Sequence, residues 1–154
     1  MKIHAFLKED YIFLDLEPGE KRDVLEKFVT ALKKRGLITK EKVILEELLK
    51  RERLGSTGLE KGIAVPHALI GNIDEPILAL ALIKDGVNFE SVDQMPTYII
   101  LLLLGSKDNP GFQLRLLAHI CRMVKETDFV EKSKKAESSH DIWSLLKEEE
   151  EKIE

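Results

Sequence analysis

Apolar residues form several uninterrupted runs that predict strands. ILALALI at residues 77–83 and YIILLLL at residues 98–104 contain no polar position. Continuous apolar runs of this length are typical of strands buried on both faces of an α/β sheet. YIFLDL at residues 11–16 is a shorter run of the same kind, and IAVPH at residues 63–67 predicts another strand that ends at the histidine.

Apolar residues spaced three and four apart predict helices between these runs. Pro18 suits the start of a helix and Gly36 suits its end. A second helix is expected to begin at Thr39, a good N-cap, and to continue through residues 40–53. The first of these helices presents an apolar face made of Val24, Leu25, Phe28, Val29 and Leu32.

Two further helices are predicted in the second half of the chain. One is capped near Asn109, and the other begins at Ser139 and ends in an acidic stretch at residues 148–154 that we expect to be frayed. Since strands and helices alternate without a long linker or a repeat, residues 1–154 are expected to form a single α/β domain. The face of the helix after Asn109 that we expect to be buried consists of Leu114, Leu117, Ile120, Cys121 and Val124.

Composition narrows the class of protein. The 154 residues are 44% hydrophobic and 34% charged, with a net charge of −4 and a pI near 5.7, so a nucleic-acid-binding surface is not expected. The single cysteine excludes a disulfide within the chain and suits a reducing compartment. The longest apolar runs have seven residues, whereas a membrane helix needs about 20. We therefore expect a cytoplasmic protein that does not insert directly into a membrane.

The glycine-rich segment STGLEKGIAVPHA places His67 directly after a proline. The proline stiffens the backbone there, and a neutral imidazole can attack phosphorus or a carbonyl carbon. Arg51, Ser56 and Thr57 lie shortly upstream, and a guanidinium with hydroxyl groups suits an anion such as phosphate. No catalytic-triad order, Walker loop or zinc-ligand spacing is present. On these residues alone, a structural turn histidine is the commoner interpretation.

The run RERLGSTGLEKGIAVPHA at residues 51–68 resembles the active-site motif of enzyme IIA of the fructose/mannitol type. This enzyme belongs to the bacterial phosphoenolpyruvate-dependent sugar phosphotransferase system, and nitrogen-regulatory IIA proteins share the motif. The resemblance extends over nearly the whole chain, including FLDLEPGEKRDVLEKFVTALKKRG and VNFESVDQMPTYIILLLL. It implies a central mixed sheet flanked by helices.

The resemblance also implies a phosphoryl carrier that needs no cofactor or metal. His67 matches the histidine that accepts a phosphoryl group from the phosphocarrier protein HPr. The group then passes to a cysteine of a IIB protein, or it serves as a regulatory signal to other proteins. Arg51 matches the arginine near the phosphohistidine, and Thr57, with Ser56 beside it, matches the part of the motif that shapes the site.

One residue departs from the family pattern. Family members usually carry a second histidine early in the helix that follows the last strand, and here Gln113 occupies that position. Glutamine can donate a hydrogen bond to phosphate but cannot carry a positive charge. Three hypotheses follow: a sugar-transport carrier, a nitrogen-type regulator, which the RERLGSTG match slightly favours, and a binding module that keeps the fold without efficient phosphotransfer.

Overall fold

A five-stranded mixed sheet forms the centre of the protein, and the computed structural model describes residues 2–154. The two long apolar runs are the two long strands, as predicted from their lack of polar positions. The strands are β1 (Ile12–Phe13), β2 (Ile63–Ala64), β3 (His67–Ile70), β4 (Ile77–Val87) and β5 (Thr97–Ser106).

Strand β5 is paired along both of its edges. One edge pairs with β4 in antiparallel orientation, and the other pairs in parallel with β2 and then with β3. β1 adds to the far edge of β4, in parallel. β2 and β3 thus follow one another along the same edge of β5, separated by Val65 and Pro66. His67 begins the second of these strands rather than ending the first, which corrects the predicted strand boundary.

Helices cover both faces of the sheet and divide its core in two. One hydrophobic cluster lies under the helices at residues 21–34 and 41–53, and the other lies under those at residues 3–6, 110–126 and 139–151. No helix within residues 2–154 is long and apolar enough to cross a membrane. The helices are α1 (Ile3–Phe6), α2 (Lys21–Lys34), α3 (Glu41–Arg53), α4 (Pro110–Glu126), α5 (Phe129–Ser133) and α6 (Ser139–Glu151).

The four predicted helices are present, but three of their predicted starts are displaced. α2 begins at Lys21 rather than at Pro18. α3 begins at Glu41 and follows Lys40, whose backbone is left-handed with φ 53°, so Thr39 is not the N-cap. Ser138 rather than Ser139 caps α6, by accepting a hydrogen bond from the Asp141 N–H. The N-cap at Asn109 is as predicted, since its side chain accepts from the Phe112 N–H. The short helices α1 and α5 were not predicted.

The buried face of α4 differs from the predicted one. Gln113 and Leu116 point into the protein, whereas Leu114 is 70% exposed. Cys121 is half-buried rather than part of the core. The helix is therefore rotated about its axis relative to the predicted orientation. Its buried face includes the polar residue Gln113, which the spacing of apolar residues did not predict. Its buried residues are Gln113, Leu116, Ile120, Met123 and Val124.

The acidic end of the chain is not frayed over its whole length, contrary to expectation. α6 continues to Glu151, and both Glu149 and Glu150 are buried. Glu149 is paired with Lys132 at 2.9 Å and with Lys152. Acidic side chains were expected to remain in water, but here cationic and N–H partners compensate their burial.

Glu150 joins three helices through one carboxylate. It accepts hydrogen bonds from the backbone N–H groups of Ile3 and His4 in α1, the second at 3.1 Å. The rings of His4 and of His119 in α4 contact the same carboxylate at 2.5 and 2.8 Å. Burial alone would raise the pKa of Glu150, but these hydrogen bonds together hold it below its ordinary value.

We expect the Glu150→Ala substitution to destabilise the protein by about 2–4 kcal/mol, because it leaves several buried donors without their acceptor. Urea unfolding measures this, and Glu148→Ala, at an exposed position of the same helix, is the control. Because the folded pKa of Glu150 is lowered, its contribution is complete above pH 4.5 and decreases as the pH falls through the folded pKa. Equal stability of the two variants would contradict this role.

Candidate functional site

His67 lies at the edge of the sheet, at the first position of β3. It pairs in parallel with Leu103 of β5. Paired residues on neighbouring strands point to the same face, and Leu103 belongs to the core cluster that contains residues of α4. The His67 side chain therefore lies on the α4 side of the sheet, where it is half-buried.

A hydrogen bond within the motif fixes the tautomer of the His67 ring. Nδ1 lies 2.8 Å from the carbonyl oxygen of Val65. Because a carbonyl only accepts, Nδ1 carries the proton and donates it, and the lone pair of the neutral ring is on Nε2. The ring is therefore held with its nucleophilic nitrogen on the side away from the backbone.

The surroundings of His67 favour its neutral form. Burial is the main cause that lowers the pKa of His67 below its ordinary value of 6.5, and the nearby charge of Arg51 acts in the same direction. The hydrogen bond to Val65 and the charge of Glu52 oppose this shift without cancelling it. A neutral imidazole at neutral pH is the form that can act as a nucleophile.

Arg51 lies in the last turn of α3 and faces the segment that follows this helix. We call residues 54–58 the site loop. The guanidinium donates to the carbonyl of Gly55 at 2.7 Å. Among the described residues, Arg51 has no carboxylate partner within 4.0 Å. Its positive charge thus remains available near His67.

The hydroxyl groups of Ser56 and Thr57 are engaged within the protein. The Ser56 hydroxyl donates to the carbonyl of Phe89 at 2.6 Å and accepts from the Gly58 N–H at 3.0 Å. The Thr57 hydroxyl donates to the carboxylate of Glu52, and Thr57 itself is 4% exposed. Both hydroxyl protons are committed, so these two residues shape the site loop rather than offer free donors.

Gly58 allows the site loop to pack closely against the segment that precedes β5. A Cβ atom at Gly58 would lie 2.6 Å from the Ser91 hydroxyl and 3.0 Å from the carbonyl oxygen of Phe89. Any larger residue would force these groups apart. The glycine therefore fixes the distance between the site loop and residues 89–91.

Gln113 is buried on the same side of the sheet as His67. Its side chain packs over Gly105 of β5, where a Cβ atom would overlap the amide oxygen of Gln113. Gly105 lies two residues after Leu103, the register partner of His67. The amide oxygen of Gln113 is enclosed without a hydrogen-bond partner among residues 2–154. The absence of a side chain at Gly105 thus provides the space that Gln113 fills.

The structure brings the predicted site residues together in two groups. Arg51, Ser56 and Thr57 belong to the end of α3 and the site loop. His67 and Gln113 lie on the α4 side of the sheet through the register of β3 and β5. Within residues 2–154 no group of three His, Cys, Asp or Glu side chains is arranged to hold a metal ion.

Sequence reasoning missed two residues that organise the site, Glu52 and Lys21. Glu52 binds the backbone N–H of Thr57 at 3.0 Å, and Lys21 binds Glu52 at 2.7 Å. The position of Glu52 beside Arg51 in the motif was a usable signal. Lys21 gave no signal, because it is 31 positions away in the chain and only the packing of α2 beside α3 brings it to the site.

Comparison of the sequence with known families gives one match over most of the chain. The model described as "Phosphoenolpyruvate-dependent sugar phosphotransferase system, EIIA 2" matches residues 5–149. The fructose-specific EIIABC component of the phosphotransferase system of Bacillus subtilis is 30% identical over 146 residues, 95% of this chain. The chain spans only 23% of the length of that protein. A nitrogen regulatory protein of Bradyrhizobium diazoefficiens is 30% identical over 106 residues, 69% of each chain.

A solved structure has the same fold. The nitrogen regulatory protein IIA-Ntr from Neisseria meningitidis superposes with a TM-score of 0.83 at 26% identity. The alignment covers 94% of this chain and 98% of that one. The similarity therefore extends over nearly the whole chain.

We expect NMR titration of His67 to give a pKa below 6.5, with the proton of the neutral ring on Nδ1. Arg51→Gln should raise this pKa without restoring the ordinary value, because burial remains. His140, which is exposed and whose pKa is raised by the hydrogen bond to Glu9, is an internal reference that should titrate at higher pH. A proton on Nε2 together with a pKa of 6.5 or above would contradict the geometry described.

Proposed function

The chain belongs to the EIIA type 2 family of the phosphoenolpyruvate-dependent sugar phosphotransferase system, and on this basis we propose that it carries a phosphoryl group on His67. Members of this family act as phosphotransferase components. The observation that carries the proposal is the orientation of the His67 ring, whose Nδ1 is held by Val65. Among the described residues, Nε2 has no hydrogen-bond partner and is free to react.

The proposed step is an in-line transfer between two imidazole rings. The Nε2 lone pair of His67 attacks the phosphorus of a phosphohistidine on the phosphocarrier protein HPr. The new P–N bond forms as the P–N bond of the donor breaks, and the bonding pair returns to the donor ring nitrogen. The Nδ1 proton of His67 stays in its hydrogen bond to Val65 throughout, so no base has to remove it.

Positioning and charge neutralisation account for most of the catalysis in such a transfer. Arg51 supplies the positive charge for the phosphoryl oxygens, and its bond to Gly55 orients the guanidinium. Gln113 supplies an amide N–H donor from the α4 side. Ser56 and Thr57 act indirectly, by holding the site loop in place.

We favour a regulatory use of the phosphoryl group over sugar transport. A neutral amide at residue 113 stabilises the transfer transition state less than a cation would, which suits a phosphorylated state that persists as a signal. The similarity to nitrogen regulatory proteins supports the same choice. In the transport alternative, the group would pass from His67 to a cysteine of a sugar-specific IIB protein.

A non-catalytic binding module is the second candidate, and Gln113 is the observation that favours it. In that case the fold would remain but His67 would not be phosphorylated at a useful rate. The direct experiment below separates the two functions. Mixing the labelled protein with a sugar-specific IIB protein then separates transport from regulation, because only transport requires rapid loss of the label.

We expect incubation with phosphoenolpyruvate, enzyme I and HPr to add one acid-labile phosphoryl group, detected by mass spectrometry. His67→Ala should abolish the modification, because the accepting nitrogen is removed. His119→Ala is the matched control and should retain it, since His119 contacts Glu150 rather than the site. Label retained in His67→Ala would disprove the assignment, and an unlabelled wild-type protein would favour the binding module.

We expect Gln113→His to accelerate phosphorylation by about tenfold, which corresponds to ~1.4 kcal/mol of transition-state stabilisation. A protonated imidazole would add positive charge where the amide has none. Gln113→Leu, which keeps apolar contact with Gly105 but removes the amide, should slow the reaction. Rates measured by quenched-flow labelling test both changes, and identical rates in all three proteins would show that residue 113 takes no part.

A further inference from the structure

A partly buried ion pair joins the start of α2 to the end of α3 beneath the site loop. Lys21 Nζ lies 2.7 Å from Glu52 Oε1, and their side chains are only 16% and 6% exposed. The ammonium also lies 4.8 Å from the ring centre of Phe89 and 3.4 Å from the Ser56 hydroxyl. Lys21 therefore contacts the site loop, its carboxylate partner and the segment on which the loop packs.

Both carboxylate oxygens of Glu52 are fully used. Oε1 accepts from the Thr57 N–H at 3.0 Å as well as from Lys21, and Oε2 accepts from the Thr57 hydroxyl. The preceding residue, Arg51, holds the carbonyl of Gly55. Two consecutive side chains at the end of α3 thus bind both ends of the same short loop.

The charge of Glu52 is unfavourable for the proposed reaction unless it is neutralised. The incoming phosphoryl group is anionic, and a carboxylate next to Arg51 in sequence would repel it. Lys21 places one positive charge against this negative charge, and the exposed carboxylate of Glu90 lies 4.0 Å from the same ammonium. The Lys21–Glu52 pair then has no net charge. The guanidinium of Arg51 is not neutralised by Glu52, and its positive charge acts on His67.

We infer that Lys21 is a positioning residue for the proposed phosphoryl transfer: it neutralises Glu52, so that Glu52 can hold the site loop without opposing the phosphoryl group. The inference rests on the proposed function of His67. Lys21 touches neither His67 nor the phosphoryl group, and it acts through Glu52 and Thr57. Of the charged groups, Arg51 and Glu52 are those whose fields act on His67.

The direction of the effect on His67 follows from these fields. Burial dominates the pKa of His67, Arg51 lowers it further, and Glu52 raises it. If Lys21 loses its charge, the field of Glu52 is no longer compensated and the pKa of His67 should rise. If Glu52 loses its charge instead, the field that raises the pKa of His67 is removed and this pKa should fall.

Three variants and one control test the inference. Lys21→Met should raise the pKa of His67 measured by NMR and slow phosphorylation by HPr on the order of tenfold. Glu52→Gln should lower this pKa. The double variant Lys21→Met/Glu52→Gln is neutral again and should return the pKa and the rate toward wild-type values. Lys33→Met removes the same charge from an exposed position of α2 and should change neither.

A purely structural role for the pair would lower the stability of the variants without opposite shifts in the pKa of His67. That result, or an unchanged pKa in a folded Lys21→Met protein, would overturn the inference. If Lys21→Met does not fold, the pKa of His67 in Glu52→Gln decides: a lower pKa supports the inference, and an unchanged or higher pKa overturns it. The titration needs no phosphoryl donor, so an unphosphorylated wild-type protein would refute the proposed function while leaving this test intact.

Discussion

The pairing of β5 along both edges is the constraint that places His67 and Gln113, the two residues proposed to meet the phosphoryl group on this side of the sheet. His67 is positioned by its register with Leu103, and Gln113 is positioned by its contact with Gly105 two residues further on. β5 is buried over nearly its whole length, so neither contact can shift without disturbing the core. The imidazole of His67 and the amide of Gln113 are therefore both positioned by β5, even though the first is on a strand and the second on a helix.

Among the charged residues described near His67, Arg51 is the cation that has no carboxylate partner. Glu52 is tied to Lys21 and Thr57, whereas Arg51 binds only a backbone carbonyl in the described part of the chain. Burial, together with the charge of Arg51, lowers the pKa of the half-buried His67 and favours its neutral form. For the proposed phosphoryl transfer, a single guanidinium would attract the anion less strongly than several cations would, so that the group could also leave.

The sequence was sufficient for the sheet, the main helices and the motif, but not for their mutual contacts. Long apolar runs predicted β4 and β5 because runs of seven apolar residues are typical of strands buried on both faces, and Asn109 predicted its cap because the signal is local. The inward turn of Gln113 could not be predicted, since it depends on the space at Gly105. Lys21 and Glu150 were missed for the same reason: their partners are distant in the chain, and buried charges are recognised only once those partners are known.

The carboxylate of Glu150 has a topological consequence. By binding α1 from α6 it brings the two ends of the described chain side by side, and Lys2 and Glu154 form an ion pair at 2.9 Å. A short peptide could join these ends into a closed ring, and new ends could then be opened at a surface turn such as the one at Asn72. A domain whose two ends lie side by side can also be inserted into a longer polypeptide without distorting its sheet.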